Sequence, residues 1–207
     1  MTPKGRPEGE HRSAQHEGSS PMAATIRRGL PGDARAIAEV RVDAWRSTYR
    51  GMIPDSYLDA MKVEDSEVLW QRVLAAAPNT TSVFVGVGDE GVIAFAAGMM
   101  LAEPRFGLDA ELTAIYVQPR HQRTGIGRRL VRAVVAAQRA VGATGVLTWV
   151  IAQNRGARKF YEGLGAELLV EQPFEWDGMD LVEAGYGWRD LDALAAAGGS
   201  TPTTQHP

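Results

Sequence analysis

The sequence predicts an α/β fold, a mixed sheet with helices on its faces. Three observations predict it. Apolar residues recur with a period of two in some segments and near 3.6 in others. The two kinds of segment interleave along the chain, in the order β-α-α-β-β-β-α-β-α-β-β, instead of separating into blocks. No internal repeat is visible, which removes solenoids and propellers from consideration.

Each element has its own signal. "ATIRRG" reads as a short strand. "PGDARAIAEVRVDAWRSTYR" is helical, with Asp33 as an acid in its first turn and Ile37, Val40, Ala44 and Trp45 on one face. "GMIPDSYLDAM" is an irregular connector or short helical turn, and "VEDSEVLWQRVLAAA" is a second helix ended by Pro78 and Asn79. "TSVFVGVGDEGVIAFAAGMML" gives two strands joined in a hairpin from Gly88 to Gly91. "AELTAIYVQ" is a further strand, followed by a loop and the helix "GIGRRLVRAVVAAQRAVG". "GVLTWVIA" is a strand, and "NRGARKFYEGLG" is a short helix closed by glycine. "AELLVEQPF" and "LVEAGYGWR" are the last two strands.

The chain has 207 residues, 44% of them hydrophobic, enough for one domain with a real core. Residues 1–22 carry almost no apolar side chains and are rich in Gly, Pro, Ser and charge, so they are expected to be a disordered tail. Met22 is a second candidate start. The domain is expected over 23–192, with a flexible tail over 193–207. With no cysteine, disulfides, thiolate metal sites and a cysteine nucleophile are excluded. Three of the four histidines fall in the tails, which argues against a histidine metal site or triad. No segment has the ~20 apolar residues of a membrane helix, and the N-terminus lacks a signal peptide's apolar core. A cytoplasmic protein is the expectation, and the net charge of -3 argues against a nucleic-acid partner.

The stretch "VQPRHQRTGIGRRL" nevertheless gathers Arg120, His121, Arg123, Arg128 and Arg129 around Gly125 and Gly127 at a helix entrance. Backbone N–H groups there point past the helix end, and the helix dipole favours an anion. Glycine lets a phosphate approach the bare backbone, and Arg123 and Arg128 can add charge-assisted contacts. A plain helix start with solvated arginines is the competing reading. A P-loop is excluded, because no Lys-Ser/Thr pair follows Gly127. A dinucleotide fold is excluded too: Leu130 stands where a small residue is needed, and no acid follows about twenty residues on.

"QRTGIG", Gln122 to Gly127, resembles the Gln/Arg-x-x-Gly-x-Gly/Ala signature of the GNAT N-acetyltransferases. "NRGARKFYEGLGAE" resembles that family's later Asn-x-x-Ala-x-x-Phe/Leu-Tyr segment, and "AIYV" its central strand. Ala166 departs from the pattern, where an aromatic often follows the glycine. The resemblance implies a GNAT acyl-CoA fold, a largely antiparallel mixed sheet flanked by helices. It implies acetyl-CoA as co-substrate, an amine acceptor, no metal, and a possible homodimer.

The resemblance also assigns roles. Backbone groups of Arg123, Thr124, Gly125, Ile126, Gly127 and Arg128 would hold the pyrophosphate, with Gln122 opening the motif. Ile115 and Val117 would pair with the pantetheine arm like an added strand, and the Val117 amide would polarise the thioester carbonyl. Asn154 and Phe160 would contact the arm, and Tyr161, two helical turns beyond Asn154, would protonate the leaving sulfur. Glu111 is the candidate base, placed by strand alternation on one face with Thr113 and Ile115, with Glu103 and Asp109 as rivals. The strand is expected to splay from its neighbour at Pro119. Trp45, Tyr49 and Tyr57 either wall the acceptor site or simply pack on the sheet. A non-catalytic acyl-CoA-binding regulatory module is the alternative function; only the enzyme needs Tyr161.

Overall fold

The computed structural model describes residues 24–76 and 80–196. The tail expected over 1–22, and the one expected over 193–207 from residue 197 on, lie outside the described residues, as do Pro78 and Asn79. Strand β1 (Thr25–Arg28) leads through a 3-10 turn into α1 (Ala34–Thr48), α2 (Asp55–Ala60) and α3 (Val63–Leu74). Next come β2 (Thr81–Gly88), β3 (Gly91–Arg105) and β4 (Leu108–Val117), then α4 (Ile126–Ala140). The chain continues as β5 (Val146–Ile151), α5 (Arg155–Glu162), β6 (Glu167–Trp176), β7 (Met179–Trp188) and α6 (Leu191–Ala196). The strands form one seven-stranded sheet in the order β1-β2-β3-β4-β5-β7-β6. Only β4 and β5 run parallel, so the sheet is mixed and largely antiparallel, as the sequence implied.

Each face of the sheet buries its own core. On one side α4 inserts Ile126, Leu130, Val131, Val134 and Val135, joined by Tyr161 and Leu164 from the α5 region. Two glycines set how deeply α4 sits. A Cβ on Gly86 would lie 2.5 Å from Ile126 Cδ1, and one on Gly98 would lie 2.6 Å from Val134 Cγ1. On the other side Ile37, Ala38 and Val40 of α1 and Trp70 of α3 cover Val83, Val85 and Phe95. A third cluster joins Tyr49, Ile53 and Leu58 to Trp45, Tyr57 and the β6–β7 hairpin residues Trp176 and Met179.

Three features depart from expectation. Asp33 lies ahead of α1, where its carboxylate takes two bonds from Arg27 (2.6 and 2.8 Å) and one from the Leu30 amide. The last two strands are longer than their apolar cores, and they meet in a tight turn at Asp177 and Gly178, both at positive φ. Helix α6 buries Leu191 and Leu194 against the α4 side, so the packed fold passes the boundary expected at 192.

Candidate functional site

The site is built where β4 and β5 part. Their ladder holds only Ala110 with Val146 and Glu111 with Leu147. From Leu112 onward the two strands separate, although β4 stays paired with β3 as far as Val117. The splay therefore begins well before Pro119, and proline is not its cause. The register against β3 slips between Ala97–Ala114 and Gly98–Leu112, which leaves Thr113 as an extra residue on β4. Such a bulge bends its strand and sharpens the local twist. Three side chains fix it: the Thr113 hydroxyl donates to the Ala97 carbonyl (3.2 Å), Thr148 of β5 donates to the Leu112 carbonyl (2.9 Å), and Gln138 of α4 donates to the Glu111 carbonyl (3.0 Å).

The bulge also overturns a placement. Ala110 and Leu112 face α4, and so do Ile115 and Val117, whereas Ala114 and Tyr116 face α1 and α3. Glu111 thus shares its face with Ala114 and Tyr116, not with Ile115 as unbroken alternation required. Burial pushes its carboxyl pKa up, Arg105 opposes the shift and Glu183 adds to it. Of the rivals, Asp109 is committed elsewhere. Burial works to raise its pKa, but the Thr144 hydroxyl and the amides of Thr144 and Gly145 bind it and hold it below the ordinary value. Glu103 is exposed on β3.

The gap opens into a cavity of about 870 Å³, at the upper end for a small-molecule site. Of the sequence-predicted residues, Ile115, Val117, Gln122, Arg123, Gly125, Ile126, Gly127, Arg128, Asn154, Phe160 and Tyr161 all line it. Thr124 does not, and turns its hydroxyl to the His121 carbonyl (2.8 Å). Glu111 is also outside the lining.

The basic loop divides by role. Arg120 pairs with Glu90 on the β2–β3 turn, and Arg129 donates to the Ala24 carbonyl (2.6 Å), so both fasten the loop to the fold. Arg123 and Arg128 are the ones that face the cavity. Arg123 (φ 60) and Gly125 (φ 85) take left-handed backbone, and no side chain caps the N-terminus of α4. The first amides of α4 are therefore presented to the cavity, as an anion requires. Phe160 lies across Gly127, 3.4 Å from where a Cβ would stand.

The opposite wall is the free edge of β4. Gln118 donates its amide to Ile93 of β3, so Tyr116 also points its backbone groups toward β3. Ile115 and Val117 then turn theirs to the open side, ready to pair with an extended ligand.

Asn154 caps α5 by accepting from the Ala157 amide (3.0 Å), and it lines the cavity, where its side chain also hydrogen-bonds the Tyr49 phenol. Tyr161 is 6% exposed and packs edge-on against Trp188. Burial pushes its phenol up to about 12, against the neighbouring Thr148 hydroxyl. The sequence reading missed Thr148, Trp149 and Tyr116, which also line the cavity. Tyr116 lies between two named residues, and its opposite orientation was its available signal. The early aromatics divide: Tyr49 lines the cavity, while Trp45 and Tyr57 pack around Trp176 at ring distances of 5.2 and 5.0 Å.

Comparison with known proteins bears on this geometry. A family model described as the acetyltransferase (GNAT) family matches residues 40–166, more than half of the chain. The chain belongs to the GNAT family. Membership makes it an acetyl-CoA-dependent acetyltransferase, as the two motifs implied. A relative from Bacillus subtilis, named an uncharacterized N-acetyltransferase, YuaI, is 35% identical over 171 residues, covering 82% of this chain and 95% of the relative. A spermidine N(1)-acetyltransferase of Thermoplasma acidophilum is 23% identical, covering 74% of this chain and 99% of that protein. Among solved structures, the PaiA N-acetyltransferase of the same organism, in complex with coenzyme A, superposes with a TM-score of 0.64 at 20% identity, covering 79% of this chain and 98% of that one. The yncA protein of Salmonella typhimurium, solved with acetyl-CoA, gives 0.60 at 20% identity, covering 80% and 93%. Among the described residues, no helix is long and apolar enough to cross a membrane, and no group of three or more potential metal ligands clusters.

Proposed function

We propose that the protein transfers the acetyl group of acetyl-CoA to a primary amine by direct attack within a ternary complex. One observation carries this reading: a single cavity, where β4 and β5 part, is lined both by the first residues of α4 and by Tyr161. Acetyl-CoA supplies the acyl group already activated as a thioester. The residues fit it, since left-handed backbone at Arg123 and Gly125 turns amides toward a phosphate and the open edge of β4 suits an extended arm.

In this reading the loop from Arg123 to Arg128 holds the pyrophosphate, with Gln122 bracing it by donating to the Val117 carbonyl (3.3 Å). Ile115 and Val117 pair with the arm, Asn154 and Phe160 border it, and the Val117 amide polarises the thioester carbonyl. Tyr161 gives its proton to the departing sulfur as the C–S bond breaks, and it is restored, through solvent, by the proton the nitrogen loses as the amide forms. Its raised pKa keeps that proton in place at neutral pH until a stronger base develops beside it. Glu111 takes the proton of the acceptor ammonium through solvent, since it stands outside the cavity lining. Burial makes it a stronger base than an ordinary glutamate.

A panel of primary amines, including diamines, polyamines, amino acids and lysine peptides, tests the function through release of free CoA thiol. Amine-dependent release is expected from at least one class. Release from none, with tight CoA binding intact, overturns the reading in favour of a binding module.

A further inference from the structure

The cavity is reached from both faces of the sheet. The pyrophosphate loop, Phe160 and Tyr161 come from the face covered by α4 and α5. Ala44, Ser47 and Thr48 of α1, with Tyr49 at its C-terminal end, line the same cavity from the other face, which α1 covers. A cofactor held by the loop leaves this second side to the acceptor.

Tyr49 is the titratable side chain that the end of α1 brings there. Its backbone is held tightly: the Tyr49 carbonyl accepts from the amides of Met52 (2.9 Å) and Ile53 (3.0 Å), and its own amide continues the helix to Trp45 (3.0 Å). Its ring stands edge-on to Trp45, 4.9 Å between centroids, within the cluster that includes Ile53 and Leu58. The residue is 9% exposed. Burial and the nearby phenols of Tyr116 and Tyr161 push its pKa well up, while the Asn154 amide acts to lower it. The hydroxyl is hydrogen-bonded to the side chains of Tyr116 and Asn154, which with Tyr49 line the cavity, so it is held in position beside the reaction space and keeps a lone pair for a further donor.

We propose that Tyr49 is a catalytic residue on the acceptor side, whose hydroxyl oxygen accepts a hydrogen bond from the attacking amine and aims its lone pair at the thioester carbon. The inference rests on the acetyl-transfer reading and deepens it. As the nitrogen attacks it gains positive charge, so its N–H becomes a stronger donor and the bond to Tyr49 tightens as the reaction proceeds. Tyr161 then serves the leaving sulfur and Tyr49 the incoming nitrogen. The contribution should therefore appear in kcat more than in amine KM.

Tyr49→Phe tests this, because it keeps the ring and removes only the oxygen. With a responsive amine, kcat is expected to fall about tenfold or more, with amine KM moving less than about threefold. CoA affinity and melting temperature should stay at wild-type values. Tyr57→Phe, in the same aromatic cluster but outside the cavity lining, is the control and should keep wild-type kcat. A Tyr49→Phe kcat within about twofold of wild type overturns the proposal while amine transfer stands. A loss of kcat matched by losses of melting temperature and CoA affinity also overturns it, by showing a structural role. If the wild-type enzyme transfers to no amine, the functional reading fails and the proposal falls with it.

Discussion

The Thr148 hydroxyl donates to the Leu112 carbonyl at 2.9 Å, at the first position where β4 and β5 no longer share a ladder. A side chain there takes the place of a backbone amide of β5, so the strands part without orphaning a buried carbonyl. The same hydroxyl acts on the Tyr161 phenol and lowers its pKa against the larger effect of burial. The opening of the sheet and the tuning of the proposed acid thus share one atom.

Thr148→Val keeps the shape and removes that atom. The Leu112 carbonyl is left buried without its donor, at a cost of about 1–3 kcal/mol. In a chain of this size each kcal/mol moves Tm by roughly 2–4 °C. Thermal unfolding should show a fall of several degrees, and an unchanged Tm means the strands do not depend on this bond.

The two loop glycines should fail differently. Gly125 sits at φ 85 with open space around its would-be Cβ, so Gly125→Ala strains the backbone without blocking the cavity. Gly127 has no positive φ but borders Phe160 and the cavity, so Gly127→Glu adds bulk and negative charge where the pyrophosphate is proposed to lie. Calorimetry should show CoA binding weakened tenfold or more, at least ~1.4 kcal/mol, with the fold retained. Wild-type affinity in Gly127→Glu would place the pyrophosphate elsewhere.

Much of this was legible in the sequence because its signals are local. Helical and strand periods gave α1, α3, α4, α5 and all seven strands, and the glycines of "QRTGIG" marked the proposed anion site. Asp177-Gly178 was a readable hairpin signal that lay between two apolar runs. The Thr113 bulge was not readable. It comes from packing between Gly98, Gln138 and the β4 backbone, which are distant in sequence, and it reverses the face of every residue after it. Placing Glu111 beside Ile115 failed for that reason. Tyr49 could not be assigned because an aromatic on a helix face looks the same whether its hydroxyl meets a cavity or its ring meets a core.

Asp109 should make stability depend on pH. Its folded pKa lies below the ordinary 3.8, so the ionised form is favoured by folding. That contribution is full above the unfolded pKa and is lost as pH falls through the folded value, so it disappears progressively below about pH 4. Asp33, held low by Arg27, acts with the same sign. Asp109→Asn should lower Tm at pH 7, and the gap from wild type should close as pH approaches 3. Parallel curves across that range would mean that the Thr144 and Gly145 contacts do not favour the ionised carboxylate.

The most direct test is Tyr161→Phe, with kcat and CoA affinity measured on both proteins. The change keeps the ring against Trp188 and removes the proposed proton donor. General acid catalysis is worth about 10²–10⁴-fold, and water can replace part of it, so a loss of about 10–100-fold in kcat is expected. CoA affinity should shift by less than about threefold, because the proposed grip lies in the loop and the β4 edge. With its pKa near 12, the wild-type tyrosine should also keep its proton, and the enzyme its kcat, up to about pH 10. An unchanged kcat in Tyr161→Phe would contradict the account, because the proton on the leaving sulfur would then come from solvent.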